Sequence, residues 1–160
     1  MTAGRDDTPA EQTFKRPESV LVVIHTPGLE CLLLERVSPP DFWQSVTGSL
    51  EWGESAAAAA EREVREETGL DPAGLRDASV QRTFPILPEW RAKFAPGVRE
   101  NVEHLWYLEI PATVEIELNA LEHSRYCWLP IAEAIERVWS WTNREGLERL
   151  AGRDKISRRT

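Results

Sequence analysis

The sequence predicts an α/β protein with helices packed on a β-sheet. Three observations carry this: apolar, β-rich runs come first, one strong helix follows, and further strands then precede two more helices. Residues 19–25 (SVLVVIH) and 31–36 (CLLLER) are joined by TPGLE, whose Pro27 and Gly28 suit a tight turn, so a hairpin is expected. Ser55, AAAAAEREVREET and Gly69 read as a helix over 55–68: a capping residue, strong helix formers, and a glycine where the helix must stop. Further strands are expected over 78–84, 102–110 and 125–129, the last two carrying Trp106, Tyr107, Tyr126 and Trp128. Helices over about 131–138 and 143–150 complete the set, and the sheet is expected to be mixed or antiparallel.

With 160 residues, the chain fits one domain that buries a core without disulfide or zinc support. That domain is expected over 14–152, between a polar, flexible N-terminal segment (1–13) and a basic, flexible tail (153–160). Composition is that of a soluble globular protein, at 41% hydrophobic and 29% charged residues. No apolar run approaches the roughly 20 residues needed to cross a bilayer, which excludes a membrane protein. The N-terminal segment lacks the apolar stretch of a secretory signal, so a cytoplasmic monomer is expected. Cys31 and Cys127 lie in apolar strand-like surroundings and read as buried thiols. The net charge of −8 disfavours a nucleic acid polymer as partner. A small triphosphate is still allowed, because a divalent cation on clustered carboxylates reverses the local field.

That cluster lies on the 55–68 helix. At about 100° per residue, Ala57, Ala60, Val64 and Thr68 form a stripe expected to face the sheet. Glu63, Glu66 and Glu67, at i, i+3 and i+4, share an edge of that stripe. Like charges at this spacing, toward the helix C-terminus, destabilise the bare helix. A hard cation reverses the penalty, and Mg²⁺ suits a site of a few carboxylates, waters and substrate phosphates, with Mn²⁺ able to substitute.

A charged run of this kind is usually a solvated helix face, but here its spacing is specific. Gly48, five residues, Glu54, seven residues, then Arg62, Glu63, Val64, any residue, Glu66, Glu67, any residue, Gly69 and Leu70 reproduce every fixed position of the Nudix box. At ordinary residue frequencies a chance match is on the order of one in ten million. The chain thus resembles the Nudix hydrolases, which implies a mixed β-sheet sandwiched between helices, with a catalytic loop-helix-loop. By that resemblance Glu63 and Glu67 would ligate Mg²⁺, and Glu66 would ligate a further metal or orient water. Arg62 would hold a glutamate in place, Gly48 would offer a carbonyl at close approach, and Glu54 would fix the loop. The general base is left between a box glutamate and one from another loop, for which Glu122 in ALEHSRY is the candidate and a further metal ligand.

Outside the box, KRPESVLVVI, DFWQSVTGSLE, QRTF, APGVRENVEH, LEHSRYCWL and WSWTNREGLE resemble a bacterial branch of the family that acts on the triphosphate of a reduced pterin. This implies substrate contacts from Lys15, Arg36, Thr47 and Ser140, and a pocket wall from Phe84 to Leu87. Residues 83–93 (TFPILPEWRAK) depart from the pattern by being shorter and proline-rich. Two other readings share these residues: a house-cleaning pyrophosphatase for dATP or damaged nucleotides, and a nucleotide-binding module without turnover. Seven tryptophans read mainly as packing, and His25, His104 and His123 as structural or solvated.

Overall fold

The computed structural model describes residues 14–159, with side chains through residue 152. The expected flexible segment 1–13 lies outside the described residues. In chain order the elements are β1 (Glu18–His25), β2 (Glu30–Arg36), β3 (Trp43–Gln44), β4 (Val46–Ser49), α1 (Ala56–Thr68), β5 (Arg76–Pro85), a 3₁₀ turn (Pro88–Lys93), β6 (Glu100–Glu109), β7 (His123–Pro130), α2 (Ile131–Arg137) and α3 (Trp141–Arg159).

The sheet is mixed, with strands ordered β3-β2-β1-β6-β5 while β4 pairs with β1 and β7 with β2. β1 and β6 run parallel, from Glu18 opposite Val102 to His25 opposite Glu109, and the other pairings between these strands are antiparallel. The expected hairpin forms, but β1 and β2 pair only at His25 and Cys31 beside the turn. Beyond that point they part. β1 continues along β4, from Val22 opposite Val46 to Ser19 opposite Ser49, and β2 along β3 and β7. The wedge between them holds β3 and β4, two strands that run lengths of two and four residues left unreadable in the sequence.

β1 is buried on both faces, which is why it reads as an unbroken apolar run. Val20, Val22 and Ile24 pack with Leu32, Val46, Ala60, Val64 and Trp106 beneath α1. Leu21 and Val23 pack on the opposite face with Leu33, Leu105, Ala134 and Leu147 beneath α2 and α3. The sheet is therefore covered by helices on two faces, as expected.

The α1 boundaries follow from its caps. Ser55 Oγ accepts from the Ala58 N–H at 3.1 Å, and Gly69 stops the helix in the left-handed region at φ 75° while its N–H donates to the Arg65 carbonyl. One expectation is corrected: Ala57 is exposed, and the packed positions are Ala59, Ala60, Glu63, Val64, Glu67 and Thr68. Small alanines let two adjacent residues per turn reach β1 and β4, so the buried sector is wider than a single stripe and takes in two carboxylates. At the other end, Ser140 Oγ accepts from the Asn143 N–H and α3 starts at Trp141, then runs on to Arg159 through most of the expected tail. Among the described residues, no helix is long and apolar enough to cross a membrane.

Candidate active site

Arg62 organises the box. Its Nε and Nη2 donate to the two oxygens of Glu54, both at 2.8 Å, its Nη1 to Glu63 Oε2 at 2.9 Å, and its Nη2 also to the Ser49 carbonyl at 3.1 Å. This paired geometry holds the Glu54 carboxyl below the usual range and the guanidinium above its own. Glu54 in turn accepts from the Glu51 N–H at 2.9 Å, so helix and preceding loop are tied together. Arg16 adds a second tie, donating to the carbonyls of Glu51 and Glu54.

Gly48 lies directly under the Glu63 carboxylate: a β-carbon there would meet Glu63 Oε2 at 2.0 Å. β4 pairs with β1, and the Thr47 N–H donates to Glu67. Glu63 and Glu67 hydrogen-bond each other, and burial is the main cause raising both carboxyls, Glu67 well above the ordinary value. Glu67 is only 2% exposed, and among the described residues its Oε1 has no hydrogen-bond partner. His123 Nε2 stands 3.9 Å from that oxygen, too far to satisfy it, and burial pulls the imidazole down to about 4, so it is neutral and forms no ion pair.

An orphaned carboxylate oxygen beside a second buried carboxylate, with only a glycine beneath, fits a hard divalent cation. The three box glutamates are nonetheless not equivalent. Glu66 has a side chain 54% exposed, reaches Arg62 at 3.4 Å, and is not part of the cavity wall that Glu63 and Glu67 share. Among the described residues, no three His, Cys, Asp or Glu side chains converge as a ready-made metal cage. Glu122 lines the same cavity without closing on the other two; three carboxylates repel one another until a cation joins them.

The cavity measures about 1110 Å³. Lys15, Arg36, Thr47, Ser140 and the stretch from Phe84 to Leu87 all line it, so the structure brings together every residue singled out for substrate contact. Burial, then the like charges of Lys93 and Arg36, lowers the Lys15 ammonium, although the residue keeps one side open to solvent. Burial also lowers the Arg36 guanidinium, which lies 5.0 Å over the ring of Trp90. Thr47 Oγ1 donates to the Val20 carbonyl at 2.8 Å, leaving its oxygen free to accept only.

Lys93 was missed in the sequence. It ends the 3₁₀ turn of the proline-rich segment, its carbonyl accepts from the Lys15 N–H at 2.8 Å, and it lines the cavity. Trp90 and Trp139 meet edge-on with ring centroids 5.5 Å apart, and Trp139 lies 4.8 Å from Phe42, giving the cavity an aromatic rim. Trp52 also lines it, donating to the Phe14 carbonyl at 2.7 Å, whereas Trp43 is core. Glu103 and Asn101, buried on β6, form part of the wall and carried no sequence signal. Cys31 and Cys127 are free, burial pushing Cys31 up to about 12. His25 and His104 have structural partners, the Thr26 carbonyl and Glu18.

The family profile described as NUDIX domain matches residues 15–150. The dihydroneopterin triphosphate diphosphatase of Escherichia coli (strain K12) is 42% identical over 145 residues, covering 88% of this chain and 95% of that protein. The Haemophilus influenzae protein of the same name is 38% identical over 143 residues, covering 85% and 88%. A solved structure of the E. coli dihydroneopterin triphosphate pyrophosphohydrolase superposes with a TM-score of 0.80 at 41% identity, over 86% of this chain and 96% of that one. With the box residues assembled on α1 and β4 and likeness running through nearly the whole domain, the chain belongs to the Nudix family.

Proposed function

We propose that the protein is a Nudix pyrophosphohydrolase that converts dihydroneopterin triphosphate and water to dihydroneopterin monophosphate and pyrophosphate. It would act as a magnesium-dependent cytoplasmic monomer serving folate synthesis. The observation that carries the reading is one cavity holding the Glu63–Glu67 pair, the cations Lys15, Arg36 and Lys93 and an aromatic rim, in a chain 42% identical to the E. coli diphosphatase.

Glu63, Glu67 and Glu122 would hold Mg²⁺. Bound there, it supplies charge neutralisation for the polyphosphate and a water of lowered pKa. Lys15, Arg36 and Lys93 neutralise the remaining phosphate charge, their ammonium and guanidinium groups being drawn together by the cavity wall. Thr47 and Ser140 present hydroxyl oxygens on the same wall, and Phe84 and Trp139 offer faces against which a pterin ring can stack. Arg62 fixes Glu63 without touching substrate. A carboxylate takes the proton of the attacking water as the α–β anhydride bond breaks. Glu122 lines the cavity and Glu66 does not, which favours Glu122 for that role.

The test is product analysis with purified protein and Mg²⁺. Monophosphate and pyrophosphate in equal amounts are expected; release of single phosphates would exclude this cleavage. A kcat/KM for dATP well above that for the pterin would favour the house-cleaning reading.

A further inference from the structure

Glu103 is a carboxylate of the cavity wall that neither the box nor the metal set proposed above accounts for. It lies on β6, 7% exposed, opposite Ser19 of β1, whose other neighbour is Ser49 of β4. Two strand spacings, roughly 10 Å, therefore separate its backbone from the strand under Glu63. Its side chain shares a face with Leu105 and Tyr107, the face covered by α3, whereas α1 packs on the opposite face. Glu103 thus lies on the α3 side of the cavity, away from the Glu63–Glu67 pair on α1.

Among the described residues its hydrogen bonding is incomplete. A carboxylate can accept about four hydrogen bonds. The Thr142 hydroxyl supplies one side-chain donor, and the neighbouring cation, Arg82, is itself paired with Glu145. Burial raises the Glu103 carboxyl to about 7. Two residues along the same face, Asn101 is tied to Ser19 Oγ at 2.8 Å, and its register partner on β5 is Phe84, also in the wall. A half-satisfied buried carboxylate beside an aromatic ring matches a flat ligand that stacks and presents two adjacent N–H donors along one edge.

We propose that Glu103 is the specificity-determining group of the cavity, accepting paired hydrogen bonds from the amino group and ring N–H of a 2-amino-4-oxo heterocycle. This rests on the pterin reading above and deepens it. A pterin and a guanine present that edge, while an adenine does not. Site geometry leaves the phosphates at the α1 end, so Glu103 sorts substrates by their ring and takes no part in the chemistry.

Two measurements test it. Neopterin and its 2-oxo counterpart, which lacks the amino donor, are titrated against metal-free protein by tryptophan fluorescence; wild type is expected to bind neopterin at least tenfold more tightly. Equal affinities overturn the proposal without any variant. Glu103→Gln is then compared with wild type on dihydroneopterin triphosphate and on dATP. The variant should lose at least tenfold in kcat/KM for the pterin, through KM, while its dATP value stays within twofold. If wild type cleaves the pterin but Glu103→Gln keeps the same pterin-to-dATP ratio, the assignment of Glu103 is wrong and the pterin reading stands. If wild type neither binds neopterin nor cleaves its triphosphate, the pterin reading itself falls, and this proposal with it. Should the Gln variant fail to fold, Glu103→Asp, which withdraws the same carboxylate by one methylene, is expected to show the same loss for the pterin alone.

Discussion

Gly48 and Glu63 are packed so closely that a β-carbon on residue 48 would stand 2.0 Å from Glu63 Oε2. The obstructed atom is the end of a side chain, so Gly48→Ala is expected to fold and to displace the Glu63 carboxylate instead. Thermal stability should fall by only about 1–2 kcal/mol, the scale of modest overpacking. Turnover should fall about a hundredfold, as it does when a site loses one electrostatic group. Circular dichroism and steady-state kinetics separate the two effects, and full activity in the alanine variant would show that the close approach has no part in the site.

Arg62 matters by shape as much as by charge. It donates to both oxygens of Glu54 and to Glu63 at once, which an ammonium cannot imitate. Arg62→Lys is therefore expected to lower kcat at least tenfold while KM changes little, because no substrate contact is lost. A rise in KM alone would place Arg62 against the substrate.

Glu67 carries the orphaned oxygen, so Glu67→Gln should leave the fold intact and lower kcat about a hundredfold or more. Wild type should gain thermal stability on addition of Mg²⁺, since a ligand bound only by the folded state stabilises it. The variant should lose most of that gain. An equal Mg²⁺-induced shift in both proteins would remove Glu67 from the metal set.

Lys93 stands with Lys15 and Arg36, and its charge helps lower the Lys15 ammonium. Lys93→Ala should raise KM for the triphosphate about tenfold and leave kcat within about twofold, as loss of a uniform binding contact does. Increasing salt should narrow the gap between variant and wild type, because the lost contact is electrostatic.

How legible these features were in the chain depended on their range. α1 could be read almost to the residue because its cap, its helix formers and its stop are all local. The box glutamates were equally visible as a spaced motif. The unequal burial of Glu63, Glu66 and Glu67 was not, since it depends on where α1 crosses β4. β3 and β4 escaped notice because a two-residue strand and one interrupted by Gly48 carry no period. Their existence follows from the parting of β1 and β2, a tertiary event. Glu103 sits in ENVEHLWYLE as one of the charged or polar residues of an ordinary-looking strand, and only the pairing of β6 beside β1 brings it to the cavity. Lys93 was hidden in the same way, by a 3₁₀ turn that returns its backbone to Lys15.

The Glu103 carboxyl also predicts a pH dependence of stability. Burial raises it to about 7, against the attraction of Arg82 and the hydrogen bond from Thr142. A carboxyl raised in the fold is protonated there while the unfolded chain is already ionised. The unfolded state therefore binds fewer protons, and stability falls as pH rises from the ordinary carboxylate range toward 7. Below that range both states are protonated and the penalty vanishes. Above 7 it levels off, at an upper bound on the order of 3 kcal/mol. Glu103→Gln stays neutral at every pH and escapes the penalty. The variant is thus expected to melt close to wild type at pH 5 and several degrees above it at pH 8, both measured without Mg²⁺ or substrate. Taking the difference between two proteins that share every other titrating group isolates the contribution of residue 103. A melting difference that does not change with pH would mean that Glu103 is already ionised in the folded protein, with more donors around it than Thr142 and Arg82.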